Sequence, residues 1–168
     1  MKIARKFTEA GKDAYDAITF PRATSEIRNP DGTVVFKLDD IEIPESWSQV
    51  ASDVIAQKYF RKAGVPAALK PVKEDGVPEF LWRHVPDTKA LDAMDKAERF
   101  GGETSSKQVF DRLAGAWAYW GWKGGYFDSE QDARDFVQEL GLTYQFATDN
   151  MAQITLEYRL AYFPPPIF

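Results

Sequence analysis

Between Val109 and Phe136 the sequence reads Val-Phe-Asp-Arg-Leu-Ala-Gly-Ala-Trp-Ala-Tyr-Trp-Gly-Trp-Lys-Gly-Gly-Tyr-Phe-Asp-Ser-Glu-Gln-Asp-Ala-Arg-Asp-Phe, and it holds three of the chain's five tryptophans. Few folds accommodate it. Val109, Leu113, Trp117 and Trp120 fall four, four and three residues apart, the spacing of one helical face. Ser105 followed by Gln108 fits a capping box, and Gly124-Gly125 closes the helix. After Asp128-Ser129 a second run carries Ala133, Phe136, Val137 and Leu140 at helical spacing. With so short a link the two helices form an antiparallel hairpin over residues 105–140. The face from Val109 to Trp120 is expected to be core, because large aromatics dominate burial in small domains. Tyr119 and Trp122, stacked above Gly115, project from a different face and are candidates for contact with a partner.

Ahead of this hairpin, residues 17–43 alternate and favour strands: Ile18-Thr19-Phe20, Ser25-Glu26-Ile27-Arg28 and Thr33-Val34-Val35-Phe36-Lys37-Leu38. Asn29-Pro30-Asp31-Gly32 lies between the last two. Proline presets φ and glycine supplies the left-handed position, so a β-hairpin is expected. One glycine is too few to line a phosphate cradle. Residues 44–64 read as a helix, with Pro44 in its first turn, Trp47, Val50, Ala51, Val54 and Ile55 along one stripe, and Gly64 and Pro66 as its stop. Lys58, Arg61 and Lys62 near its end complement the carbonyl end of the helix dipole. Residues 65–102 carry Pro66, Pro71, Pro78 and Pro86 around apolar pieces such as Phe80-Leu81-Trp82, the pattern of an ordered connection with a short helix from Thr88 to Ala97. In the divergent tail, 141–168, Gly141 interrupts the second helix of the hairpin, Ile154 to Tyr158 reads as a short strand, and Pro164-Pro165-Pro166 follows. The expected fold is α+β and mainly α: one domain of 168 residues with an N-terminal β-hairpin followed by a small helical domain containing the helical hairpin.

Composition removes whole classes of chemistry. The chain has no cysteine and a single histidine, so thiol nucleophiles, disulfides and thiolate metal sites are excluded and a zinc site has almost nothing to build on. The net charge of -5 and pI near 5.0 argue against nucleic acid as a partner, since phosphate binding relies on clustered Lys and Arg. No apolar run approaches the roughly 18 to 20 residues of a membrane span, and Met1 to Lys6 is not followed by the apolar stretch of a secretory signal. The expectation is a cytoplasmic protein without a membrane partner.

The residues that carry chemistry elsewhere have simpler readings here. His84, in Trp82-Arg83-His84-Val85-Pro86, reads as a loop histidine, because a general base needs an orienting carboxylate. Asp39, Asp40, Glu42 and Glu45 read as a solvated acidic turn, because a calcium loop needs ligands at fixed spacing around a glycine. Lys123-Gly124-Gly125 closes a helix, whereas a phosphate loop has its glycines before the lysine and opens one. Trp82 joins Tyr119 and Trp122 as an interface candidate, and Tyr158, Tyr162 and Phe163 add aromatic candidates in the tail.

Three ordered blocks resemble the N-terminal region of the adenosylcobalamin-dependent (class II) ribonucleotide reductases of alphaproteobacterial type. They are Ala23 to Gly32, Trp47 to Pro66 (Trp-Ser-Gln-Val-Ala-Ser-Asp-Val-Ile-Ala-Gln-Lys-Tyr-Phe-Arg-Lys-Ala-Gly-Val-Pro), and Gln108 to Arg134. The resemblance covers roughly residues 1 to 140. From Gly141 the pattern is lost, and the Asn-Ser-Pro turn that opens the family's catalytic barrel does not occur. The family's mechanism passes through a cysteine thiyl radical and a reducing cysteine pair, so the resemblance brings no catalytic, cofactor or metal residue to this chain.

The resemblance therefore implies an accessory region of a ribonucleoside-diphosphate reductase, present as a truncated or split fragment and inactive alone. The alternatives are an interaction module that binds or regulates an intact reductase, and an unrelated small enzyme using His84. Adenosylcobalamin belongs to the parent family, and no cofactor is expected in this chain. Detached from a barrel, such a region exposes an apolar patch, so the expected partners are a second copy of the chain, giving a homo-oligomer, or a reductase catalytic chain.

Overall fold

The computed structural model describes residues 1–141. Two antiparallel strands, β1 (Arg22–Arg28) and β2 (Val34–Glu42), form the N-terminal hairpin. Its turn is the expected one: Gly32 has φ of 86°, and Asp31 accepts from the amide and hydroxyl of Thr33 at 2.9 and 2.6 Å. Ile18 to Phe20 lies outside either strand, in the irregular segment before them.

Asp39 and Asp40 of the acidic run are solvent-exposed as expected but form a strand bulge, and only Glu45 lies in a turn. Ala23 pairs with Ile41 and Ser25 with Leu38, so Asp39 and Asp40 together oppose Thr24. Asp40 takes φ of 58°. The extra residue reverses the in-out parity of the strand, which places Ile41 and Ile43 in the same cluster as Phe36 and Leu38. Without it, the two isoleucines would point to solvent.

The next helix, α1 (Gln49–Val54), starts later than Pro44 because Ser48 caps it, its hydroxyl accepting from the Ala51 amide at 3.2 Å. Pro44 instead closes a turn with Trp47. The helix widens into a π turn (Ile55–Tyr59), sealed by the Phe60 amide on the Ile55 carbonyl at 3.0 Å, and stops short of Gly64. It ends there because the Arg61 amide and carbonyl are taken by Glu103, at 2.8 Å each, and are lost to the helical ladder. The basic end behaves in part as expected, since the Lys62 ammonium donates to the Ala56 carbonyl.

The connection is organised by two short ladders. β3 (Val65–Pro66) pairs with a later strand, β6 (Phe100–Gly101), and β4 (Leu69–Pro71) pairs with β5 (His84–Pro86). A single 3-10 turn spans Glu79–Leu81, and α2 (Thr88–Asp92) ends earlier than Ala97. The main helix, α3 (Ser106–Lys123), carries the expected capping box at Ser105 and Gln108 and the expected Gly124 cap. Residues 130–141, called α4, complete the helical hairpin, and Gly141 is itself helical.

Two apolar clusters lie along α3. The first joins Ile41, Ile43, Ile55, Ala56 and Phe60 to Val109 and Phe110. The second joins Val77 and Leu81 to Ala118 and Ala133, with Tyr119, Trp122, Phe127 and Phe136 packed around them. The buried residues of α3 are Ser106, Val109, Phe110, Ala114 and Ala118; Val109 and the partly buried Leu113 of the expected face reach the first cluster, whereas its second half turns outward. Trp117 and Trp120 are 37% and 46% exposed, which reverses their expected place in the core. Small residues occupy the closest approach, and the bulky ones flank it.

Candidate functional site

The flank of α3 that carries Trp117 borders an open groove of about 320 Å³, lined by Tyr59, Phe60, Arg61, Arg112, Leu113, Ala116 and Trp117. Local folding explains each wall. The π turn carries the Tyr59 carbonyl out of the helical ladder, where an Arg112 Nη2 donates to it at 3.2 Å. Arg112 also donates through Nε and Nη2 to the two oxygens of Glu103, both at 3.1 Å. Glu103 is only 4% exposed and additionally accepts the Arg61 amide, so three donors satisfy one buried carboxylate. This joint fixes the end of α1 against α3. Sequence reasoning missed it, because Glu103 sits in an unpatterned loop.

The residues singled out as interface candidates fall elsewhere. Tyr119 donates its hydroxyl to both oxygens of Glu74, at 3.1 and 3.0 Å, and Trp122 donates its indole N–H to the Gly76 carbonyl at 2.7 Å. The Lys123 ammonium reaches Glu74 at 2.7 Å, and these bonds hold the Glu74 carboxyl below its ordinary range. Trp82 turns its indole N–H to the Val77 carbonyl at 2.8 Å. All three aromatics pack against the second apolar cluster. Tyr158, Tyr162 and Phe163, with the strand expected at Ile154 to Tyr158, lie outside the described residues.

His84 is exposed on β5, and among the described residues no carboxylate hydrogen-bonds its ring. Three of the four residues of the acidic run are spoken for: Asp39 accepts from Thr24 at 3.0 Å, Asp40 pairs with Arg22, and Glu42 accepts from Ser105 and Lys107 at 2.5 and 3.1 Å. Among the described residues no group of three or more His, Asp or Glu converges on a possible metal site. No helix among them is long and apolar enough to cross a membrane.

A second polar assembly was also invisible in the sequence. Residues 1–9 run along α4 and are held there mostly by carboxylates. Asp132 accepts the Ile3 amide at 2.9 Å, and Arg5 donates to Asp135 and Gln138 at 2.5 and 2.6 Å. Glu139 accepts the amides of Lys6, Phe7 and Thr8 and the Thr8 hydroxyl, the last at 2.5 Å. Asp132, Asp135 and Glu139 are three and four apart, so one face of the helix presents all three. Further along, Tyr15 donates to Asp111 on α3 at 2.6 Å. Burial raises the pKa of both groups, so the phenol remains a donor.

A sequence profile of the class II vitamin B12-dependent ribonucleotide reductases matches residues 21–149. The chain belongs to that family. It is 59% identical over 155 residues to the vitamin B12-dependent ribonucleotide reductase of Bradyrhizobium diazoefficiens, an overlap of 91% of this chain and 12% of that enzyme. The Agrobacterium fabrum reductase gives 59% over 152 residues, 90% of this chain and again 12% of the enzyme. The Rhodopirellula baltica reductase is 26% identical over 141 residues, or 83% of this chain and 10% of the enzyme. The chain therefore spans about an eighth of the length of the Bradyrhizobium and Agrobacterium reductases, and corresponds to their N-terminal portion. The family match runs to residue 149, eight residues beyond the boundary expected at Gly141, so the start of the tail still follows the reductase pattern.

Proposed function

We propose that this chain is the accessory N-terminal region of a cobalamin-dependent ribonucleotide reductase, which works beside the catalytic portion and performs no reduction by itself. The observation that carries this reading is the combination of 59% identity across nearly the whole chain with 12% coverage of the enzyme, in a sequence without cysteine. Radical reduction of a ribonucleotide in this family needs a thiol to carry the radical and thiols to supply electrons. Among the described residues, the groove beside α3 does not fit adenosylcobalamin either: at about 320 Å³ it is far smaller than a corrin ring with its nucleotide loop, and Arg112 in its lining is already paired with Glu103. The proposed location is the cytoplasm, where thiol-dependent reductases stay reduced.

The test is reconstitution in trans. The Bradyrhizobium reductase lacking its corresponding N-terminal region is mixed with this chain, and association is followed by sedimentation and deoxyribonucleotide formation by chromatography. Association with a change in rate is expected, along with no product from this chain alone plus adenosylcobalamin and a dithiol. Turnover by the chain alone, or neither association nor a rate effect, overturns the reading. Self-association is a second reading, favoured by the exposure of Trp117 and Trp120. A monomer mass that holds at every concentration in sedimentation equilibrium discards it.

A further inference from the structure

The two halves of α4 are held in unlike ways. The first half packs by apolar contact: Ala133, Phe136 and Val137 belong to the second cluster, Phe136 meets Phe127 at 5.3 Å, and the Arg134 guanidinium lies 4.1 Å from the Phe80 ring. Among the described residues, that cluster takes nothing from α4 beyond Val137. The last turn is reached instead by polar groups of the N-terminal segment. Gln138 accepts from Arg5 at 2.6 Å, and Glu139 accepts the amides of Lys6, Phe7 and Thr8 at 3.0, 3.2 and 2.8 Å. Gly141 is buried, and a β-carbon placed on it would stand 3.7 Å from the Tyr15 hydroxyl oxygen. That hydroxyl donates to Asp111 of α3 at 2.6 Å. Residues 1–15 therefore tie the last turn of α4 to α3.

Charge, and not apolar burial, fixes this segment. Arg5 and Asp135 pair at 2.5 Å with side chains only 17% and 13% exposed, whereas Phe7 is 60% exposed. No residue of the segment enters either apolar cluster. Three successive amides around one carboxylate form a backbone nest, a geometry that suits an anion. Gly11, with φ of 81°, turns the chain between this nest and Tyr15. A unit with few buried apolar contacts and many exposed hydrogen bonds opens at lower free energy than the core it covers.

We propose that residues 1–15 are a polar clasp on the last turn of α4, which opens while both apolar clusters stay folded and which, when closed, keeps that end of the domain pre-formed for the catalytic portion of a reductase. The second half of this statement rests on the accessory role proposed above. It follows from sequence order: the chain matches the N-terminal portion of the reductases, so the rest of such an enzyme comes after α4. An end that is already ordered loses less freedom when the catalytic portion docks.

Hydrogen exchange read by mass spectrometry on the full chain tests the clasp. Glu139→Ala removes the anion from the nest and leaves a strong helix former in its place, and Arg5→Met cuts the ion pair without altering α4. Glu139→Ala should speed exchange in residues 138–141 by about tenfold, the weight of one hydrogen bond to a charged group. Arg5→Met should speed it by about threefold. Residues 106–123 and 130–136 should exchange as in the wild type, with the far-UV circular dichroism unchanged. A last turn that keeps the wild-type rate in both variants overturns the clasp. So does a joint loss of protection across α3 and α4, because the segment is then part of the global fold and no separate device.

The reconstitution assay separates the clasp from the reading beneath its second half. Glu139→Ala should associate with the truncated reductase about threefold to tenfold more weakly than the wild type, since only the closed fraction is ready to dock. If it frees the last turn yet associates as tightly, the pre-forming role is overturned and the accessory role survives. If the wild type itself fails to associate, the accessory role falls and takes the pre-forming role with it, while exchange decides the clasp.

Discussion

Replacing Glu103 by Ala should be among the most damaging single changes outside the apolar clusters, and its size can be built from its three hydrogen bonds. The first loss is the acceptor for the Arg61 amide, bonded at 2.8 Å. A buried backbone donor left without a partner costs about 1–3 kcal/mol. The second loss is the counter-ion of Arg112, which meets Glu103 through Nε and Nη2 at 3.1 Å. Breaking a fully buried pair costs about 3–5 kcal/mol. The Arg112 side chain is 27% exposed and can recruit water, so its share is smaller. Rehydration brings that share nearer to about 1–2 kcal/mol. Together the losses come to about 3 kcal/mol, a large part of the roughly 5–15 kcal/mol that holds a typical domain.

Urea unfolding of wild type and Glu103→Ala, followed by far-UV circular dichroism at neutral pH, reads this directly. Thermal unfolding should show a midpoint lower by roughly 10 °C for a chain of this size. Adding Arg112→Met to Glu103→Ala should recover about 1 kcal/mol, because the stranded charge is gone while the Arg61 amide is still unpaired. A loss below about 0.5 kcal/mol in Glu103→Ala, the scale of an exposed ion pair, would falsify the claim that this carboxylate joins α1 to α3.

Two further outcomes follow from the same contacts. Burial by itself would raise the pKa of Glu139, but the Thr8 hydroxyl and the amides of Lys6, Thr8 and Phe7 together bring it below the ordinary 4.5. Stability from this site is therefore complete above that ordinary value and disappears as pH falls through the lower folded one; hydrogen exchange should show Lys6 to Thr8 losing protection on acidification before α3 does, and simultaneous loss would refute it. In the core, Phe110→Ala should cost about 3–5 kcal/mol and Ala118→Leu about 1–3 kcal/mol by overpacking. Trp117→Ala, at a residue 37% exposed, should cost less than half as much as Phe110→Ala in the same denaturation assay, and parity between them would contradict the burial order.

The elements readable in the sequence are those specified by neighbouring residues. Asn29 to Gly32 makes its turn with bonds that span four residues or fewer, and Ser105 with Gln108 makes its cap within three. The family was legible for a related reason, since its blocks are long and ordered. The Arg5 to Gln138 bond, by contrast, bridges 133 positions, and nothing in either segment's periodicity announces it. The Asp39-Asp40 bulge was hidden because the two aspartates look like a solvated turn, although Ile41 and Ile43 after them already required a change of strand parity. Neither the π turn nor the Arg61–Glu103 pairing that follows it leaves a local signature, and the groove depends on both.

Trp117 and Trp120 were misassigned because side-chain size was taken as a guide to burial, and geometry works against that guide. Where a helix presses closest to its neighbours, there is room for Ala114 and Ala118, while an indole must sit to one side. α3 therefore has two aromatic flanks. Tyr119 and Trp122 occupy one, and the connection through Glu74 to Val77 comes to them, taking the phenol and indole protons on Glu74 and Gly76. Trp117 and Trp120 occupy the other, facing the Arg61 side of the molecule and remaining over a third exposed. The cover over Tyr119 and Trp122 depends on the route of residues 65–102, a non-local property of the fold. Substituting either residue would chiefly damage the second apolar cluster, so any loss of binding in such a variant is read against its stability in the same denaturation assay.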